Sequence, residues 1–121
     1  MRLNPDCIRD ILLEIERYTS FEETYTYDPD DLPDESYLSK YDSDTVLYHI
    51  RQADQSGLLM GTNWRLFEYV NIQDLSPSGH EFLSNIRSAA LWKKVLQKCA
   101  NASLPIIIKF AEIVASEAFL P

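Results

Sequence analysis

Leu75-Ser76-Pro77-Ser78-Gly79-His80-Glu81-Phe82-Leu83 is the stretch on which the reading of this chain turns. Ser76 is a strong N-cap, Pro77 suits the first helical turn, and Phe82, Leu83 and Ile86 follow at helical spacing. A capped helix starts here. Upstream lie a helix stop at Gly57-Leu58-Leu59 and an aromatic, strand-like run from Trp64 to Ile72. Helix, ribbon and capped helix, in that order, predict a winged helix.

Further upstream, Asn4 is an N-cap and Pro5 a first helical residue, with Asp6 where the helix dipole favours an anion. Ile8, Ile11, Leu12, Ile15 and Tyr18 form one stripe, so Pro5 to Tyr18 reads as a helix. Thr19 to Tyr27 suits a strand, Asp28-Pro29-Asp30-Asp31-Leu32-Pro33 a loop, and Asp34 to Tyr41 a short helix. Ser43 then caps a helix with Val46, Leu47, Ile50 and Ala53 inward, ended by Gly57. Its outward face carries Tyr48, Arg51, Gln52 and Gln55. Leu58-Leu59-Met60 is expected as the first wing strand, Gly61-Thr62-Asn63 as the turn and Trp64 to Ile72 as the second strand, joined by the Tyr25 region. Burial of Trp64 or its neighbours is expected to pin this hairpin between Leu59 and Leu75.

Downstream, the helix from Ser76 is expected to run to about Gln97 through Leu91, Trp92 and Val95. Asn101-Ala102-Ser103 interrupts, and Ser103 caps a last helix with Pro105 in its first turn. There Ile106, Ile107, Phe110, Ile113 and Val114 share one face, with Ile108, Ala115 and Phe119 toward the other. A helix apolar on more than one side is deeply buried or meets a second chain, so a homodimer through Pro105–Phe119 is expected. The fold class is α+β: a winged helix-turn-helix with a small antiparallel β-ribbon and extra C-terminal helices, forming one domain over 1–121. Within it, 20–44 is a connecting segment and 104–120 the last helix.

The net charge of −8 is confined to that connecting segment. Between Ser20 and Asp44 stand nine acids (Glu22, Glu23, Asp28, Asp30, Asp31, Asp34, Glu35, Asp42 and Asp44) and one base, Lys40. The remaining residues hold 10 bases and 10 acids. An acidic chain repels a phosphate backbone, so any DNA binding has to come from a local basic face. Two cysteines, Cys7 and Cys99, make no disulfide framework, and Cys7 near the first apolar stripe reads as a buried thiol. The chain opens directly into a helix, without a signal peptide, and Lys109, Glu112 and Glu117 interrupt its longest apolar region. The expected setting is therefore a reducing cytoplasm, with no membrane partner.

No catalytic, cofactor-binding or metal-binding residues are expected. The two histidines, His49 and His80, lack a nucleophile at a recognised spacing and read as polar surface or boundary residues. Asp28, Asp30, Asp31, Asp34 and Glu35 lack the central glycine of a calcium loop and carry Pro29 and Pro33 instead. Gly57, Gly61 and Gly79 punctuate caps and turns rather than cradle phosphate.

Three blocks carry a resemblance: Leu3-Asn4-Pro5-Asp6-Cys7-Ile8-Arg9-Asp10-Ile11-Leu12; Tyr48-His49-Ile50 with Gly57-Leu58; and Leu75 to Leu83 with Ile86-Arg87 and Trp92-Lys93. In that order they resemble domain-of-unknown-function family 2513, small proteins common in phages and prophages. The resemblance implies a phage or mobile-element origin and brings no catalytic residues with it. The phrase from Leu75 to Leu83 also looks like the wing exit of bacterial winged-helix regulators. Two functions are therefore expected. The first is a DNA-binding or regulatory accessory factor that uses the Ser43–Ser56 helix (Tyr48, Arg51, Gln52, Gln55) and the Gly61–Phe67 wing (Arg65) on duplex DNA. The second is an adaptor or inhibitor that offers Asp30, Asp31, Asp34 and Glu35 to a basic groove on a host protein, as a DNA mimic.

Overall fold

The computed structural model describes residues 1–65, 69–99 and 101–118. Its centre is α1 (Pro5–Tyr18), started as its sequence dictates: the Asn4 side chain accepts the amides of Asp6 and Cys7, and Pro5 occupies the first turn. Cys7, Ile8, Ile11, Leu12 and Ile15 are fully buried along one stripe. Each of these Ile and Leu side chains contributes roughly 1.5–3 kcal/mol of transfer free energy.

A short strand, β1 (Tyr25–Tyr27), follows; the expected strand from Thr19 shrinks to these three residues. Asp34 to Tyr41 is not a helix. The amides of Ser36, Ser39 and Tyr41 each bond the carbonyl three residues back, giving consecutive turns. The reason is tertiary. Glu14 of α1, fully buried, accepts from the Tyr25 hydroxyl (2.8 Å), the Ser36 hydroxyl and the Tyr37 amide (3.1 Å). One turn earlier, Asp10 accepts from the Tyr41 hydroxyl (2.6 Å) and Lys40 Nζ (3.1 Å). An α-helix would bond the Tyr37 amide internally, whereas the turns give it to a buried carboxylate that needs donors.

The next helix, α2 (Ser43–Gln55), is capped by Asp42, one residue earlier than expected, through the Thr45 amide at 2.8 Å. It ends as read. The amides of Gly57 and Leu58 bond back to Asp54 and Ala53, both at 3.0 Å, with Gly57 left-handed at φ 78°.

The ribbon differs from its expected form. Strands β2 (Leu59–Met60) and β3 (Asn63–Trp64) run antiparallel to β5 (Asp74–Leu75) and β4 (Val70–Ile72). The pairs Leu59–Leu75, Met60–Asp74, Asn63–Asn71 and Trp64–Val70 share one register. This is a single hairpin, interrupted at Gly61-Thr62, and not a strand–turn–strand with its turn at Gly61-Thr62-Asn63. Its tip lies between Arg65, whose amide donates to the Tyr69 carbonyl (3.0 Å), and Tyr69; Leu66, Phe67 and Glu68 lie outside the described residues. The hairpin is anchored by buried Leu59, Val70, Ile72 and Leu75, while Trp64 is 43% exposed. β1 adds to the far side of β4, giving the order β1-β4-β3.

The junction of α2, hairpin and α3 (Pro77–Ile86) explains Leu75 to Leu83. Ser76 donates its amide to the Leu58 carbonyl (2.9 Å) and accepts the Gly79 amide on its hydroxyl (3.0 Å). A Cβ on Gly79 would strike the Leu58 carbonyl oxygen. The helix then stops at Ile86 instead of running to Gln97. Ser88 caps a separate α4 (Ala89–Cys99) through the amides of Leu91 (3.4 Å) and Trp92 (2.9 Å). Arg9 of α1 donates to the freed carbonyls of Ile86 (3.0 Å) and Arg87 (2.8 Å).

The last helix, α5 (Leu104–Ala118), packs on α3 and α4. Its faces divide differently from expectation. Leu104, Ile107, Ala111 and Ala115 are buried, while Ile106, Phe110 and Ile113 point outward; Phe119 lies outside the described residues. The architecture is α+β, helices around small antiparallel sheets. Among the described residues no helix is long and apolar enough to cross a membrane.

Candidate functional site

The inward side of α2 is Val46, His49, Ile50 and Ala53, all buried. His49 replaces Leu47 in the expected stripe. Its Nδ1 lies 2.7 Å from the Thr45 carbonyl, and its Nε2 accepts the Asn4 amide at 2.7 Å. The ring is therefore neutral with the proton on Nδ1, and burial lowers its pKa. His49 joins α2 to the start of α1 and has no ring nitrogen left for chemistry. His80 lies 3.4 Å from Asp74 at the base of the hairpin.

Outward, Arg51 and Gln55 are exposed, and Tyr48 and Gln52 are half-buried. The Arg51 guanidinium sits 5.9 Å from the Tyr48 ring centroid, a cation–π contact within one helix face. A groove of about 590 Å³ runs beside them, lined by Met1, Asp44, Leu47, Tyr48, Arg51 and Trp64. The hairpin thus stands next to the outward face of α2, with exposed Arg65 one residue past Trp64 at the tip. Four of the five residues expected to bind nucleic acid (Tyr48, Arg51, Gln52 and Gln55) share one helix face, and of the five only Tyr48 and Arg51 line the groove; Arg65 is the residue after groove-lining Trp64. Sequence reasoning missed Met1, Leu47 and Trp64 as groove residues. Leu47 was expected inward and Trp64, or its neighbours, buried, so neither carried a signal for the groove.

The bases sort into two sets. Arg9, Arg17, Lys40 and Arg87 are spent inside the fold: on carbonyls, on Glu35 (4.0 Å), on Asp10, and bidentate on Glu16 (2.9 Å on one arm). Arg2, Arg51, Arg65, Lys93, Lys94, Lys98 and Lys109 have no ion-pair partner among the described residues. Arg2 lines a second cleft with Leu3, Asn101 and Ala102, just past α4, and Lys94 and Lys98 of α4 line a third together with Val114 and Glu117 of α5. Met1 thus borders the first groove and Arg2 the second.

Asp30, Asp31, Asp34 and Glu35 are all exposed. Their loop is ordered by local bonds: the Asp28 carboxylate accepts the Asp30 amide (3.0 Å), and its carbonyl accepts the Asp31 amide (3.1 Å). Among the described residues no group of three or more His, Cys, Asp or Glu side chains could hold a metal ion. Both cysteines are free and buried, and burial pushes the Cys7 thiol up to about 12, away from the reactive thiolate.

An uncharacterized protein of Haemophilus influenzae is 28% identical to this chain over 97% of its length and 98% of the relative's. No solved structure matches. A model of the hypothetical-protein family DUF2513 matches residues 2–105, which span α1, the hairpin, α3 and α4, and the chain belongs to that family.

Proposed function

We propose that this is a non-enzymatic, phage- or prophage-type winged-helix protein that binds duplex DNA as a regulatory accessory factor. The observation that carries the reading is the shared groove: Tyr48 and Arg51 of α2 stand beside Trp64, with Arg65 following at the hairpin tip. The order α1, β1, α2, hairpin, with the sheet order β1-β4-β3, supports a winged helix in which the turns at 34–41 take the place of the middle helix. In this reading α2 enters the major groove. Gln55 and Gln52 address base edges, Arg51 a guanine or phosphate, and Arg65 a flanking phosphate or the minor groove. The unspent bases supply the local positive face that an acidic chain needs.

Anisotropy titration of a labelled duplex at low salt tests this. Binding is expected, weakened roughly tenfold or more by Arg51→Ala or Arg65→Ala, in line with about 1–3 kcal/mol for a specific contact. A flat titration overturns it.

A second reading, a protein-binding inhibitor, rests on the exposed acids Asp30, Asp31, Asp34 and Glu35. A DNA mimic would displace duplex from a basic DNA-binding protein of the host, and reversing those four charges would abolish the displacement. Unchanged displacement by the reversed variant rejects it.

A further inference from the structure

We propose that the groove between α2 and Trp64 holds an unpaired nucleotide, its base stacked on Trp64 beside Tyr48, so that this site prefers DNA carrying a single-stranded end. The inference rests on the reading that this site binds DNA. One wall of the groove is a single stripe of α2: Asp44, Leu47, Tyr48 and Arg51 recur at helical spacing. The hairpin contributes Trp64. Trp64 pairs with fully buried Val70, and cross-strand partners share a sheet face, so the indole is anchored at its root while the residue stays 43% exposed. Aromatic side chains from both elements and a volume of about 590 Å³ suit a flat ring. Inside a duplex a base offers only its edge; once unpaired it offers its face, which stacks on aromatic side chains whatever the sequence.

The charges along the stripe select the ligand. An acid works against a groove meant for phosphate alone, yet Asp44 lines this one. Asp44 and Arg51 have no ion-pair partner among the described residues, and they do not pair with each other. Their spacing in α2 sets them two turns, about 10 Å, apart along the axis. A nucleotide has the same polarity: an amino edge, an aromatic ring and a phosphate. Asp44 accepts the exocyclic amino group of the base, as carboxylates do from cytosine N4, and Arg51 takes the phosphate. Thymine, which has no amino group, leaves Asp44 unused. A wholly apolar occupant would leave both charges unused.

Two readouts on the full chain test this: anisotropy of a labelled duplex, either blunt or extended by a short deoxycytidine or thymidine tail, and tryptophan emission. The deoxycytidine tail is expected to bind roughly tenfold tighter than the blunt duplex. It is expected to bind roughly fivefold tighter than the thymidine tail, a difference that Asp44→Asn erases. Stacking is expected to quench Trp64. Trp64→Phe leaves buried Trp92 as the remaining indole, so it is expected to lose the quenching and to keep part of the tail preference, which Trp64→Ala removes. Free deoxycytidine monophosphate at the same concentration is expected to leave the emission unchanged; equal quenching by it would assign the groove to a free nucleotide and overturn the strand-borne one. Equal binding of blunt and tailed duplex with emission unchanged overturns the inference and leaves the duplex reading standing. Equal binding of the two tails also overturns it. Binding of the tailed duplex alone supports it and overturns the duplex reading. A flat titration with every DNA overturns both.

Discussion

His49 ties two helices together only while it is neutral, because protonated Nε2 would have to donate toward the Asn4 amide, itself a donor. Burial holds the folded pKa below the ordinary 6.5, so on acidification the unfolded chain takes up the proton first. The folded state keeps its full stability above about pH 6.5 and loses it as the pH falls below that, by at most about 1.4 kcal/mol per unit from this group. Glu16, held below its usual range by the Arg87 hydrogen bond, acts in a separate window, losing its contribution only as the pH falls from about 4.5. Urea denaturation at about pH 7.5 and 5.5 is expected to show the loss in the wild type and a flatter response in His49→Gln. Equal slopes in the two proteins would contradict this role. Gly79 is a second single-residue test. Gly79→Ala forces a methyl into the Leu58 carbonyl and is expected to cost about 1–3 kcal/mol or more, against about 0.5 or less for exposed Ser78→Ala. Denaturation midpoints would settle the comparison.

The α3–α4 junction shows how an element boundary is fixed from outside. Arg9 supplies the donors that the last carbonyls of α3 lack, and Arg87 folds back on Glu16. Arg9→Met is expected to lower stability by about 1–3 kcal/mol and to speed amide exchange over Ser88–Trp92. Exchange unchanged there would mean that Ser88 alone makes the break. The sequence reading sorts the same way. Boundaries set by local caps were legible: Asn4-Pro5, Gly57 and Ser76-Pro77 start or end helices where their residues say. The pairing of the Tyr25 region with the hairpin was also legible. Boundaries set by distant partners were not. Ser36 and Tyr37 leave the expected helix for Glu14, a separation of 77 residues does not announce Arg9 at Ile86, and Gly61-Thr62-Asn63 looks like a turn until the Leu59–Leu75 pair fixes the register. In the candidate site, helical periodicity placed Tyr48, Arg51, Gln52 and Gln55 on one face, whereas the groove with Met1 and Trp64 exists only in three dimensions.

At the scale of the whole molecule the acids are unevenly distributed: nine of the 19 lie in 20–44 with one base, while the bases without an ion-pair partner among the described residues lie on α2, the hairpin, the N-terminus, α4 and α5. The 20–44 segment opposes any approach to DNA from its side, which orients the molecule as well as weakening the encounter. Neutralising Asp30, Asp31 and Asp34 to asparagine is therefore expected to raise duplex affinity, most clearly at low salt, in the same titration that Arg51→Ala weakens. Affinity left unchanged would show that the loop stays clear of the bound duplex.

The proposal that α2 and the hairpin tip grip a duplex meets its most direct test in the salt dependence of binding. The logarithm of the association constant should fall linearly with the logarithm of salt concentration, and Arg51→Ala and Arg65→Ala should each shallow that slope, by about one unit for each phosphate contact removed. Binding whose slope both variants leave untouched would place the DNA on another face of the protein.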